Sequence, residues 1–201
     1  QPETAALALE SEWDEQQRQR AAASARLPAQ RLPDLDLARS PRQMDAGDRW
    51  VDVIATLATP RVVVLGNLLS ADECDALVAA ARPRLARSLT VQTQTGGEEL
   101  NPDRTSQGMF FSRGESELLT RIEARIGRLL NWPVDHGEGM QVLRYGAGAQ
   151  YKPHYDYFDP AQPGTASILR RGGQRVATLV MYLSEPARGG GTTFPDAGLE
   201  V

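Results

Sequence analysis

The chain has 201 residues, 41% hydrophobic and 24% charged, enough for one globular domain with its own core plus an extension. A net charge of −4 gives no electrostatic ground for nucleic acid or an anionic membrane as partner, and no apolar run approaches the ~20 residues of a membrane span. The single Cys74 excludes an internal disulfide and, with no signal-peptide core near Gln1, sets the expectation of a reducing, cytoplasmic location for a chain whose start is processed or trimmed.

Residues 3–26 are rich in Ala, Glu, Gln and Arg, with Leu7, Leu9 and Trp13 as a thin apolar stripe, a composition that predicts a helix. Pro28, Pro33 and Pro41 mark an extended linker after it. Residues 1–50 are therefore read as a helical extension and linker, and 51–201 as the main domain. The extension has three open roles: packing on the domain, forming a homodimer, or binding a partner. In DRWVDVIATL (48–57) the apolar residues at 50, 53, 54 and 57 have helical spacing, stopped by Pro60. RVVVL (61–65) is β-branched and reads as a buried strand. Ser70 and Glu73 form a capping box that opens a helix over 71–82, closed by Pro83. Residues 85–93 alternate as a strand, Gly96-Gly97 opens a polar loop to about Ser106, and GMFFS (108–112) is a short strand. Apolar residues at 118, 119, 122, 126, 129 and 130 define an amphipathic helix over 117–130.

From Met140 the pattern changes to strands at 140–145, 150–157, 174–183 and 191–194, with a polar insertion between Asp159 and Arg171. Helices followed by a run of strands argue for α+β, with helices buttressing one face of a β-sandwich or barrel. Within the second of these strands lies His154-Tyr155-Asp156. On a strand, residues i and i+2 share a face about 6–7 Å apart, so an imidazole and a carboxylate would stand side by side. That pair suits two adjacent positions on an octahedral Fe(II), although a facial triad needs one more His. The other histidine, His136, falls in a loop before the strands and is not expected to supply it.

The segments QVLRYGAGAQYKPHYDYFDP, GGQRVATLVMYL and GGGTTFP resemble the prolyl 4-hydroxylase type of Fe(II)/2-oxoglutarate dioxygenase. VVVLGNLLSADECDALV, RTSQGMFFSRGE and GEGMQVLRY resemble the same family's N-terminal half, so the likeness runs in order from about Arg61 to Pro195. The resemblance implies a double-stranded β-helix (jelly-roll) core with His154 and Asp156 as iron ligands. It implies Tyr145, Thr178 and Tyr182 as the lining of a 2-oxoglutarate pocket, where hydroxyls can donate to a carboxylate. It places Tyr151 and Arg175 against a peptide substrate and Arg104 in a loop that covers it. Fe(II), 2-oxoglutarate and O2, with ascorbate as an accessory reductant, are the implied cofactors and co-substrates. A proline-containing protein or peptide is the implied partner.

The family's second iron-binding His, and a basic residue that pairs the far carboxylate of 2-oxoglutarate, follow the GGxTxFP segment. No His follows His154 and no Lys follows Lys152. The expectation is therefore a fragment, inactive by itself, of an enzyme that hydroxylates prolyl residues. The rival readings are a jelly-roll interaction module that has lost its metal, and the same oxygenase chemistry on a free amino acid or another side chain.

Overall fold

A computed structural model describes residues 32–88, 90–91, 98–99 and 103–201. The helix expected over 3–26, with Leu9 and Trp13, and the Gly96-Gly97 turn lie outside the described residues. Residues Pro33–Val201 form one compact unit. Among the described residues, no helix is long and apolar enough to cross a membrane.

The first sheet is an antiparallel three-strander, β1 (Gln43–Asp45), β2 (Trp50–Leu57) and β3 (Val62–Gly66). The strand β2 corrects the helix expected over 48–57. A register shift between Val53 and Ala55 inserts an extra residue into the ladder with β3. Such a bulge turns a period-2 pattern into one that imitates helical spacing, and cross-strand pairing of β-branched residues decides the outcome. The β1–β2 turn needs Gly47, whose φ of 100° is open to glycine and costly for other residues. Its amide is held by Asp45 Oδ1 at 2.8 Å.

Helix α1 (Ala71–Ala81) opens as its capping box predicts: Glu73 N–H donates to Ser70 Oγ at 3.1 Å, and Ser70 N–H to Glu73 Oε2 at 2.9 Å. Pro83 sits in the 3₁₀ turn that ends it. Then come β4 (Ala86–Arg87), β5 (Thr90–Val91), β6 (Glu98–Glu99) and β7 (Gln107–Phe110). Helix α2 (Glu117–Leu130) has the expected bounds. Ser116 Oγ caps its start, and Asn131 ends it with a left-handed φ of 49°. Strand β8 (Gln141–Arg144) pairs with β7, and the second sheet runs β4–β7–β8, all antiparallel. The remainder carries helix α3 (Thr165–Gly172), inside what the sequence reads as a loop, and the pair β9 (Thr193–Phe194) and β10 (Leu199–Glu200).

The protein is thus a mixed structure of helices and small antiparallel sheets, with β5–β6 and β9–β10 as two-stranded pairs. Its main core joins Leu77 and Ala81 of α1, Leu119 and Ile122 of α2, Met109 of β7 and Val142 of β8. Two helices therefore cover one face of the β4–β7–β8 sheet. Met181 and Leu183 pack against that core from a segment that makes no ladder among the described residues, although a strand is expected over 174–183. Burial along it still alternates: Leu179, Met181 and Leu183 are partly covered, while Thr178, Val180 and Tyr182 are exposed. One face is packed and the other looks out.

A buried arginine ties these layers together. Arg125 of α2, 2% exposed, donates Nε to Asp48 Oδ1 at 2.9 Å and Nη2 to Asp48 Oδ2 at 2.8 Å. It also donates Nη1 to Glu73 Oε2 at 2.9 Å, Nη2 to Glu73 Oε1 at 2.8 Å, and Nη1 to the Leu68 carbonyl at 2.6 Å. One guanidinium fork thereby fixes the β1–β2 turn, the approach to α1 and α2 itself. The guanidinium beside Glu73 holds its carboxyl down at about 2, against the opposing effect of burial.

Candidate metal and substrate site

Strand β8 delivers the chain to Tyr145, after which Gly146–Ala149 turn it back. The strand expected at 150–157 is reduced to a single bridge, Tyr151 opposite Arg104. Pro153 has no N–H to donate to a ladder, and beyond it side chains replace cross-strand partners. Gln174 does this for Phe158, accepting from its N–H at 2.7 Å and donating to its carbonyl at 2.8 Å.

Loss of the strand does not separate His154 from Asp156: Nε2 and Oδ1 stand 3.3 Å apart, both side chains about 40% exposed. His154 Nδ1 lies 2.8 Å from the Lys152 carbonyl. A carbonyl only accepts, so Nδ1 carries a hydrogen, and in the neutral ring that a metal ligand requires the lone pair is on Nε2, which faces Asp156. On the carboxylate, Oδ2 accepts from Thr178 Oγ1 at 2.6 Å, which leaves Oδ1 as the free donor. Two donors held about 2.1 Å from one octahedral cation at right angles sit about 3 Å apart. The pair fits a divalent metal taking one nitrogen and one carboxylate oxygen, each oriented by an outer hydrogen bond. Among the described residues, no group of three or more His, Cys, Asp or Glu side chains gathers for a metal. His136 lies in a turn after α2, its ring edge-on to Trp132 with centroids 5.4 Å apart.

The other predicted residues fall into three groups. Arg104, 8% exposed, lies over the Tyr151 ring with 4.8 Å from guanidinium carbon to centroid, and Tyr151 stacks on the His154 imidazole at 3.7 Å. Burial pushes the Tyr151 phenol above its ordinary range; Arg104 opposes this, and Asp156, Tyr145 and Arg175 are also within electrostatic reach. Arg175 forms a bidentate pair with Glu138, Nε to Oε1 at 2.6 Å and Nη2 to Oε2 at 2.9 Å, and donates Nη1 to the Asp156 carbonyl at 3.4 Å. The Glu138 carboxylate raises the guanidinium pKa further. Thr178 and Tyr182 share the exposed side of their segment, but Thr178 engages Asp156, whereas the Tyr182 hydroxyl lies 2.7 Å from Thr192 Oγ1. Tyr145, just past the end of β8, is 45% exposed.

Sequence reasoning did not single out Glu138 or Asp103. Glu138 stands in GEGMQ, where only the likeness of the whole segment gave a signal. Asp103 bridges Lys152 Nζ at 2.6 Å, a pairing across nearly fifty residues that no local pattern announces.

Residues 140–201 match the sequence profile of the 2OG-Fe(II) oxygenase superfamily. Over a longer stretch the chain is similar to proteins of Arabidopsis thaliana. It is 43% identical to Probable prolyl 4-hydroxylase 3 over 153 residues, 76% of this chain and 51% of that protein. It is 45% identical to Prolyl 4-hydroxylase 5 over 152 residues, 75% of this chain and 50% of that protein. With Prolyl 4-hydroxylase 1 the identity is 45% over 142 residues, 70% of this chain and 48% of that protein. The chain spans about half the length of these curated relatives. The similarity is thus to prolyl 4-hydroxylases over most of this chain, with the 2OG-Fe(II) oxygenase profile matching residues 140–201.

Proposed function

We propose that the chain carries the metal-binding part of an Fe(II)- and 2-oxoglutarate-dependent dioxygenase that hydroxylates a prolyl residue in a protein or peptide. The observation that carries this reading is the pair of oriented donors, His154 Nε2 and Asp156 Oδ1, 3.3 Å apart within the segment that matches the superfamily. Iron bound there would supply O2 activation coupled to oxidative decarboxylation of 2-oxoglutarate, with succinate and CO2 as products; ascorbate is the accessory reductant the likeness implies. The chain's own part is orientation. Lys152 O selects the His154 tautomer, and Thr178 selects which Asp156 oxygen stays free. Tyr145 and Tyr182 offer hydroxyls to the 2-oxoglutarate carboxylates, and Thr178 serves that pocket through the carboxylate it holds.

Tyr151, Arg175 and Arg104 are the peptide-facing residues of this reading, in which an aromatic face receives the proline ring and a guanidinium holds a peptide carbonyl. The helix-covered β4–β7–β8 sheet supports the jelly-roll as the parent fold, since such a fold is buttressed on one face. A cytoplasmic setting suits the single Cys74, and the net charge of −4 favours a peptide over a nucleic acid. For the N-terminal segment with Leu9 and Trp13, a homodimer contact is one of three open roles, beside packing on the domain and binding a partner.

The test is turnover by the full-length protein with Fe(II), 2-oxoglutarate and proline-rich peptides, read as succinate formed and oxygen added to the peptide. Coupled formation of both, lost in Asp156→Ala, is expected. Succinate without peptide oxidation, but with oxidation of a free amino acid, would move the substrate assignment. Neither product would sink the enzymatic reading.

A further inference from the structure

We propose that Arg104 and Tyr151 are positioning residues for the metal ligand His154, through a three-layer stack of guanidinium, phenol and imidazole. The proposal rests on the reading that His154 and Asp156 hold a metal. It goes beyond that reading by giving two residues of the peptide-facing group a second task inside the site.

The geometry is continuous. Tyr151 lies nearly parallel to the His154 ring, 24° between planes and 3.7 Å between centroids. The Arg104 guanidinium lies against the Tyr151 ring at 4.8 Å, a cation–π distance. The imidazole is therefore held in two ways: the Lys152 carbonyl fixes rotation through Nδ1, and the phenol face fixes its plane. An exposed side chain would otherwise sample several rotamers, and each would carry Nε2 away from Asp156.

The stack is anchored through its own backbone to a pair of zipped segments. Arg104 and Tyr151 form the β-bridge. On one side, Thr105 N–H donates to the Gln150 carbonyl at 3.0 Å while Gln150 N–H donates to Thr105 Oγ1 at 2.8 Å. On the other, Lys152 N–H donates to the Asp103 carbonyl at 3.0 Å, and the Lys152 ammonium pairs with the Asp103 carboxylate at 2.6 Å. From the far edge, Ser88 N–H holds the Ser106 carbonyl at 3.0 Å. Segments 103–106 and 150–152 are thus zipped together, and Arg104 is buried in the seam at 8% exposure. A peptide that engages Tyr151 or Arg104 would push on the same stack that orients the metal ligand. Substrate contact and ligand orientation then become one mechanical unit.

The experiment measures Co(II) affinity of the full-length protein by its absorption spectrum, without turnover, beside the peptide KM. Arg104→Met is expected to weaken Co(II) binding roughly tenfold, the scale on which groups that orient metal ligands act. Tyr151→Ala is expected to do at least the same. Tyr151→Phe keeps the ring and is expected to bind Co(II) as the parent does. In the metal-free protein, the His154 ring protons should move downfield in Tyr151→Ala, because the shielding ring has gone, and stay in place in Tyr151→Phe. Unchanged Co(II) affinity in Arg104→Met and Tyr151→Ala, with only the peptide KM raised, would overturn the proposal and leave these residues as peptide contacts. Should Arg104→Met not fold, the two Tyr151 variants and the ring shifts decide. A parent that takes up no divalent metal removes the metal reading itself, and the proposal with it.

Discussion

Two arginine–glutamate pairs of the same chemistry hold two different regions of this molecule. In the helical half, Arg125 grips Glu73 with both carboxylate oxygens engaged, and the arginine is 2% exposed. In the candidate site, Arg175 grips Glu138 in the same bidentate way, but the side chains are 34% and 58% exposed. The first pair sits between packed layers; the second stands at the edge of a segment fastened mainly by side-chain hydrogen bonds. Burial makes a broken pair costly, and exposure lets water replace a lost partner. The helical half is therefore a rigid support, and the Arg175–Glu138 edge of the site is a part that can be altered without unfolding the rest.

The largest expected effect comes from breaking the buried pair. Arg125→Met takes both forks from Glu73 and Asp48 and leaves the half-exposed Arg121, at 3.5 Å and 4.0 Å, as their neighbouring cation, so it should cost up to about 3–5 kcal/mol of stability, read as a lower urea midpoint. Substituting Glu73 by Leu in the same chain should recover much of that loss, because an apolar pair leaves no buried charge behind. If the single variant unfolds no earlier than the parent, Arg125 does not anchor the layers.

Acid should expose the same anchor more gently. The folded Glu73 carboxyl sits at about 2 against an ordinary 4.5. A depressed carboxyl contributes its stability above pH 4.5 and loses it as the pH falls toward 2, to the extent of up to about 3 kcal/mol for this group. The urea midpoint should fall across that window in the parent, and fall less steeply in Glu73→Gln. Equal slopes would put the acid sensitivity elsewhere.

The same division separates what could be read in the sequence from what could not. Helices α1 and α2 were legible because their signals are local: a capping box at Ser70 and Glu73, and apolar spacing from Leu118 to Leu130. Strand β3 was legible from its β-branched run. Strand β2 was not, since its bulge is defined by the partner strand and only the pairing reveals it. The run 150–157 alternates like a strand, yet Pro153 withholds a donor and the ladder stops at Tyr151. At the site, the likeness in sequence named His154 and Asp156, and it could not show that Thr178 reaches Asp156 instead of open pocket. Asp103 meeting Lys152, and Glu138 meeting Arg175, are products of tertiary approach between segments far apart in the chain.

A smaller effect tests the exposed side of the comparison at Thr178. Thr178→Val removes the hydroxyl that occupies Asp156 Oδ2 at 2.6 Å and keeps the side chain's shape. Co(II) affinity should fall about tenfold, equivalent to about 1.4 kcal/mol. A raised KM for 2-oxoglutarate with unchanged metal affinity would instead make the cosubstrate the partner of this hydroxyl.

The smallest effect is expected from Glu138→Gln, and it sets the contrast most sharply. The substitution keeps volume and one acceptor but removes the charge that Arg175 pairs with. Both groups are solvated, so water and salt compensate, and the stability change should stay within about 0.2–1 kcal/mol. Chemistry alone would predict a cost like that of Arg125→Met, since both pairs are bidentate Arg–Glu forks. A loss of several kcal/mol in Glu138→Gln, measured by the same urea titration, would mean that the site is as tightly built as the helical half. A loss below 1 kcal/mol leaves Arg175 able to exchange Glu138 for another acceptor. That freedom is what its proposed role in holding a peptide carbonyl requires.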